Sequence, residues 1–118
     1  MDAEIFKAMS DDNRLRILNL LIVKELCVCE LEAVLGMSQS NVSRHLTKLK
    51  QAQIVISKKE SQWVYYSISP RFIEKNNHLY SHILSHFKLD LELIEDTENL
   101  KMMASQNVIC MPFNEQSS

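Results

Sequence analysis

The chain has 118 residues, 46% hydrophobic, with 13 Lys and Arg against 15 Asp and Glu, for a formal net charge of −2. That length suits one domain with a modest core and excludes two. No apolar run approaches the length of a membrane span and MDAEIFKAM has no signal-peptide pattern, so a cytoplasmic location and no membrane partner are expected.

One Gly and two Pro point to a helix-dominated fold with short connections. Residues 2–9, DAEIFKAM, predict a short helix with Ile5, Phe6 and Met9 turned inward. SDDNRLRILNLLIVKEL follows. Ser10, Asp11 and Asp12 all suit an N-cap, where acid favours the helix dipole. Leu15, Leu18, Leu21 and Ile22 form a helical stripe, and Ile17 and Leu20 widen it into a buried face. Cys27-Val28-Cys29-Glu30-Leu31 opens a third helix over about 28–35, with Leu31, Val34 and Leu35 inward. The single glycine, Gly36, then stands where a tight turn needs positive φ. Helix, short Gly-containing turn, helix is the pattern of a helix-turn-helix.

The helix after that turn, from Ser38 to Ala52, carries the most distinctive chemistry. Val42, Leu46 and Leu49 make one apolar face. The rest is amides, hydroxyls and cations without a carboxylate. Base edges and phosphates accept such side chains, whereas an ordinary surface helix mixes in Glu or Asp. It therefore reads as a DNA recognition helix. Gln39, Ser40, Asn41, Ser43 and Arg44 are the candidates for the groove, with Arg44 suited to a guanine or a phosphate, and Lys48 to phosphate. His45 is read as structural.

Ile54 to Ile68 reads as a β-hairpin: a β-branched arm, a polar turn over Lys58-Lys59-Glu60-Ser61-Gln62, and the arm Trp63-Val64-Tyr65-Tyr66-Ser67-Ile68. A hairpin after a helix-turn-helix is a wing, and Lys58 and Lys59 at its tip would reach the DNA backbone or minor groove. Ser69 and Pro70 open a further helix as N-cap and first position. Its apolar positions, Phe72 through Leu91 and Ile94, exceed what a small core needs and predict a face for a second subunit. Residues 1–91 are expected to form the DNA-binding and dimerisation domain, and 92–118 a C-terminal extension, helical at its start and then a mobile tail. The charge is divided accordingly. Residues 37–59 hold five cations and no acid, and residues 88–118 hold six acids against two lysines. A basic patch on an acidic body is an electrostatic footprint for nucleic acid.

The odd number of cysteines, Cys27, Cys29 and Cys110, argues against a disulfide framework. Cys27 and Cys29 are one residue apart at a loop-to-helix junction. In partly extended backbone they can converge on one soft ion, with the helix N-terminus lowering the thiol pKa; otherwise they are packing residues. No paired catalytic carboxylates, nucleophile elbow or phosphate loop is present, so an enzyme is not expected.

The segments SDDNRLRILNLL (10–21), ELCVCELEAVLGMSQSNVSRHLTKLKQAQIV (25–55) and QWVYYSI (62–68) together resemble the ArsR/SmtB family of metal-sensing winged-helix repressors, over roughly residues 5–90. The resemblance implies a winged helix-turn-helix of order α-α-α-α-β-β-α. It implies a homodimer on a palindromic double-stranded operator, released when metal binds. The ELCVCEL box is similar to the arsenite- and antimonite-responsive branch, and also to the cadmium/lead branch; both use the two cysteines of the box. Some arsenic repressors have a third cysteine where this chain has Glu32, so a further donor would be an exogenous ligand or Cys110. The lack of cysteines near the N-terminus favours arsenite over Cd(II) or Pb(II). A thiol redox or persulfide sensor of the same fold, pairing Cys27 or Cys29 with Cys110, is a further alternative. His78, His82 and His86, spaced i, i+4 and i+8, do not match the family's Asp/His site and read as interface or solvent-facing groups.

Overall fold

The computed structural model describes residues 3–105. Helices α1 (Ala3–Met9) and α2 (Asp12–Val23) lead into a two-residue strand β1 (Leu26–Cys27), followed by α3 (Val28–Leu35) and α4 (Gln39–Gln51). A hairpin of β2 (Val55–Glu60) and β3 (Trp63–Ile68) comes next, then α5 (Pro70–Lys75), α6 (Asn77–Phe87) and α7 (Leu91–Ser105). Asp11 is the N-cap of α2, accepting from the backbone N–H of Asn13 at 2.8 Å and of Arg14 at 3.2 Å. The N–H groups that a helix leaves unpaired at its start explain why an acid sits there.

The centre of the core is Ile17 and Leu20 of α2, Leu26, Leu31 of α3, Val42, Leu46 and Leu49 of α4, and Ile54 and Val55 beyond it. In α3 and α4 these are the stripes expected from the periodicity; in α2 the positions expected only to widen the stripe, Ile17 and Leu20, are the deepest, with Leu18 and Leu21 also buried and Leu15 and Ile22 half-buried. In α1 the expectation holds for Ile5, and Met9 is half-buried. Phe6, by contrast, is 45% exposed, and Ala8 is buried in its place. Ile5 and Ala8 are three apart and so share a face of a helix too short to bury two sides.

Three features go beyond the expected fold. The hairpin is part of a three-stranded antiparallel sheet, order β1-β3-β2, with Leu26 opposite Tyr66 and Cys27 opposite Tyr65. The single helix expected from Pro70 is broken into α5 and α6, and α7 follows where the extension is expected to be helical. Asn76, at φ −127° and ψ 42°, ends α5 and begins α6. Its backbone N–H (2.9 Å) and side-chain amide (3.2 Å) both donate to the Phe72 carbonyl. Finally, α7 is docked on α2. The Arg16 guanidinium donates to both carboxylate oxygens of buried Asp96, at 2.8 and 2.9 Å, and the Asn19 amide donates to the Leu93 carbonyl at 2.9 Å. Leu93 and Leu100 are buried alongside.

Candidate nucleic-acid interface and thiol cleft

The turn between α3 and α4 is made by Gly36, which caps α3 at φ 69° and donates its N–H to the Glu32 carbonyl at 2.9 Å. Two residues later Ser38 caps α4, its hydroxyl accepting from the Asn41 N–H at 3.3 Å. The two helices are thereby held as a helix-turn-helix. Burial of Val42, Leu46 and Leu49 turns the opposite side of α4 outward: Gln39, Ser40, Asn41, Arg44 and Lys48 are exposed and Ser43 half-buried. Arg44 donates to the Asn41 side-chain oxygen at 3.2 Å, a one-turn contact that holds both groups on the same face. Among the described residues, α4 has no acid in its first turn and Lys48 and Lys50 in its last.

His45 is the exception on α4. It is 2% exposed and lies against α2, its Nδ1 3.3 Å from Nη1 of Arg14. The buried Arg14 also donates to the carbonyls of Ala8 (2.6 Å) and Lys7 (3.3 Å), joining α1, α2 and α4. No charge pattern in the sequence singles out this arginine: Arg16, two residues on, stands in the same alternation with Leu15 and Ile17.

The wing differs from its expected geometry. Lys58 and Lys59 are in β2, paired with Tyr65 and Val64, and not in the turn. The turn itself is Ser61-Gln62, with Ser61 at φ 58° in the left-handed region. Successive strand residues point to opposite faces, so the two lysines diverge. Lys58 forms a 2.8 Å ion pair with Glu60, whose hydrogen bond raises its pKa; Lys59 is exposed.

Cys27 ends β1 and is the N-cap residue of α3. Its N–H donates to the Glu30 carboxylate at 3.0 Å. The expected lowering of the thiol pKa by the helix N-terminus does not hold for Cys27. Burial pushes the thiol up to about 11 and the Glu30 carboxylate adds to the rise, outweighing the helix N–H groups of Glu30 and Cys29. Cys29 is half-buried one residue on. Both cysteines line one cleft of about 410 Å³ with Val28 and Glu32 of α3, Gln39 of α4, and Gln62, Trp63 and Val64 of the wing. Cys27 is a free thiol and Cys29 is disulfide-bonded, so the two offer a thiophilic ion a pair of sulfur donors only after reduction. Among the described residues no group of three or more His, Cys, Asp or Glu is arranged to hold a metal, so the pair alone is an incomplete ligand set. Cys110 lies outside the described residues. His78, His82 and His86 are exposed on α6, the last two with ring centroids 4.4 Å apart. No helix among the described residues is long and apolar enough to cross a membrane.

Comparison with known proteins agrees with this geometry. Residues 11–57 match the family model of bacterial regulatory proteins of the arsR family. The chain is 47% identical over 68 residues to an arsenic resistance transcriptional regulator of Pseudomonas putida, covering 56% of this chain and 52% of that protein. It is 38% identical over 74 residues to a cadmium resistance regulatory protein homolog of Staphylococcus aureus, covering 62% of this chain and 61% of that one. The chain thus spans between half and two thirds of the length of these curated relatives. Among solved structures, reduced HlyU of Vibrio cholerae is similar at 40% identity and a TM-score of 0.55, covering 65% of this chain and 85% of that one. With the helix-turn-helix, the wing and these matches in agreement, residues 11–57 of the chain are a helix-turn-helix domain of the arsR family of bacterial regulatory proteins, a family of regulators and not of enzymes.

Proposed function

We propose that the protein is a dimeric transcriptional repressor of the cytoplasm. It holds double-stranded operator DNA through α4 and the wing. It releases that DNA when arsenite or antimonite binds the thiolates that Cys27 and Cys29 present once Cys29 is reduced. The observation that carries the reading is the adjacency of two surfaces: an acid-free, amide- and cation-bearing face on α4, and a cleft with both cysteines whose wall includes Gln39, the first residue of that helix. Gln39, Ser40, Asn41, Ser43 and Arg44 read the groove, and Lys48, Lys58 and Lys59 neutralise phosphate. Cys110 is a further candidate donor. Leu89 and Leu91, 80% and 82% exposed, are apolar surface suited to a second subunit.

The test begins with selection of bound sites from a random duplex library, since the operator is unknown. The selected duplex is then titrated with protein over a range of salt, and with arsenite or cadmium under reducing conditions. Affinity falling steeply with salt, and release by arsenite that is lost in Cys27→Ser and Cys29→Ser, is the expected result. Failure to select any duplex would overturn the repressor reading. Comparison of Cys110→Ser with the unaltered chain assigns or dismisses the third thiol. The similarity to a cadmium resistance regulator favours one second reading, a cadmium/lead-responsive repressor. Release by cadmium and not by arsenite would select it.

A further inference from the structure

The two cysteines of the α3 segment differ in oxidation state. Cys27 is a free, buried thiol, whereas Cys29, two residues on, is half-buried and disulfide-bonded. The chain has three cysteines, and the third, Cys110, follows five residues after Ser105, where α7 ends. The end of α7 lies against the helix that carries Cys29. Leu100, Met103 and Ala104 meet Glu30, Ala33 and Val34 of α3 around a gap of about 20 Å³, room for a single water. Five residues span at most about 17 Å and the eight residues of α3 about 12 Å, so the chain beyond Ser105 is long enough to bring Cys110 to Cys29. Cys27 is the poorer partner on chemical grounds. The thiolate is the attacking species in disulfide formation, and burial, with the Glu30 carboxylate beside it, raises the Cys27 thiol to about 11.

We propose that Cys29 and Cys110 form a redox latch: their disulfide fastens the end of α7 across α3 and withholds the Cys29 sulfur from the inducer. The withholding rests on the reading of Cys27 and Cys29 as the inducer site; the fastening does not. The bond forms by exchange with a low-molecular-weight disulfide, which is the oxidant. One cysteine thiolate attacks a sulfur of that disulfide and expels the first small thiol. The other cysteine attacks the mixed disulfide and expels the second. The S–S bond broken is thereby replaced by the one between Cys29 and Cys110, and the two cysteine protons end on the released thiols. A low-molecular-weight dithiol reverses both steps. α3 is the first helix of the helix-turn-helix, and α7 also holds α2 through the pair of Arg16 and Asp96. The latch therefore ties the C-terminal helix to the element on which α4 is mounted. Reduction releases that tie and opens the sulfur pair in one step.

The full-length protein is equilibrated with oxidised or with reduced glutathione, free thiols are alkylated, and tryptic peptides are mapped without reduction. Cleavage after Lys24, Arg44 and Lys101 puts Cys27 and Cys29 in peptide 25–44 and Cys110 in peptide 102–118. The expected result is a cross-link between these peptides in the oxidised protein that survives Cys27→Ser and is lost in Cys29→Ser and in Cys110→Ser. A cross-link that survives Cys29→Ser, a peptide 25–44 joined to a second copy of itself, or no cross-link at all overturns the latch. Amide hydrogen exchange over residues 100–105 should be about tenfold slower in the oxidised than in the reduced protein, and indifferent to the oxidant in Cys110→Ser. Equal exchange in the two states overturns the fastening. Native mass spectrometry then counts arsenite adducts, expected in the reduced protein and absent from the oxidised one. Equal adduct counts in both states overturn the withholding. No adduct in either state, with the cross-link present, overturns the inducer reading and the withholding with it, while the fastening of α7 stands.

Discussion

Nη1 of Arg14 lies 3.3 Å from Nδ1 of His45, and this contact ties α2 to the buried side of α4. Arginine has no acceptor, so Nδ1 must accept and the imidazole proton sits on Nε2. Protonation of His45 would place two donors against each other in a buried position.

That relationship sets a pH dependence. Burial holds His45 below the ordinary imidazole value, and the charges of Arg44, Arg14 and Lys48 add to this against the pull of Asp11. A histidine whose folded pKa is depressed contributes stability above its unfolded value, about 6.5, and that contribution is lost as pH falls through the folded value. Asp11, held below the usual carboxylate range by the Arg14 and Asn13 N–H groups against the opposing effect of burial, loses its contribution only at lower pH, below about 3.9. Urea midpoints should therefore begin to fall below about pH 6.5. His45→Gln, which keeps an acceptor for Arg14, should flatten that first step. Identical profiles for the two proteins would show that another group is responsible.

The docking of α7 includes a buried ion pair. Asp96 is 3% exposed and accepts two hydrogen bonds from Arg16. Removing one partner of a buried pair leaves the other charge uncompensated, at about 3–5 kcal/mol. Since the Arg16 side chain keeps some contact with water, Asp96→Ala should cost about 3 kcal/mol in chemical denaturation, at the low end of that range. The double variant with Arg16→Ala should cost less than the sum of the two single changes.

Gly36 offers a test of the turn alone. A Cβ built there meets nothing within 4 Å, so the cost of a side chain comes from its φ of 69° and not from a clash. Gly36→Ala should destabilise by about 1–2 kcal/mol, and Gly36→Asn by less, because asparagine tolerates this region. Thermal denaturation of both would separate backbone strain from packing.

The cations of the proposed DNA face should divide into two kinds. Arg44→Ala is expected to relax preference at one base position by about 1–3 kcal/mol if its guanidinium reads a guanine. Lys48→Ala and Lys59→Ala should weaken binding to all duplexes alike, each lowering the slope of log affinity against log salt by about 0.9. Lys58 is held by Glu60 at 2.8 Å, so Lys58→Ala should have the smaller effect, and Glu60→Gln should strengthen non-specific binding by releasing it. Salt titrations on matched and scrambled duplexes measure all five variants.

The sequence by itself determined the elements whose cause is local. The Leu and Ile stripes of α2, α3 and α4 set which faces are buried. Gly36 and Ser38 set the turn and the cap, and the absence of acids set the chemistry of the outer face of α4. Periodicity and capping act over a few residues, and so they are legible without the fold. What only the tertiary structure decided depends on partners distant in sequence. Leu26 and Cys27 form a strand because β3 offers them an edge; alone, two residues have no β pattern to read. Burial of Cys27 follows from that pairing, and it reverses the thiol shift expected from the helix terminus. His45 is buried because Arg14 of α2 approaches it, and Asp96 because Arg16 is 80 residues away in sequence yet within 2.8 Å in space. The gathering of Cys27, Cys29, Gln39 and Trp63 around one cleft is of the same kind. Side chains from α3, α4 and the wing meet there only once the hydrophobic core has packed the three elements together.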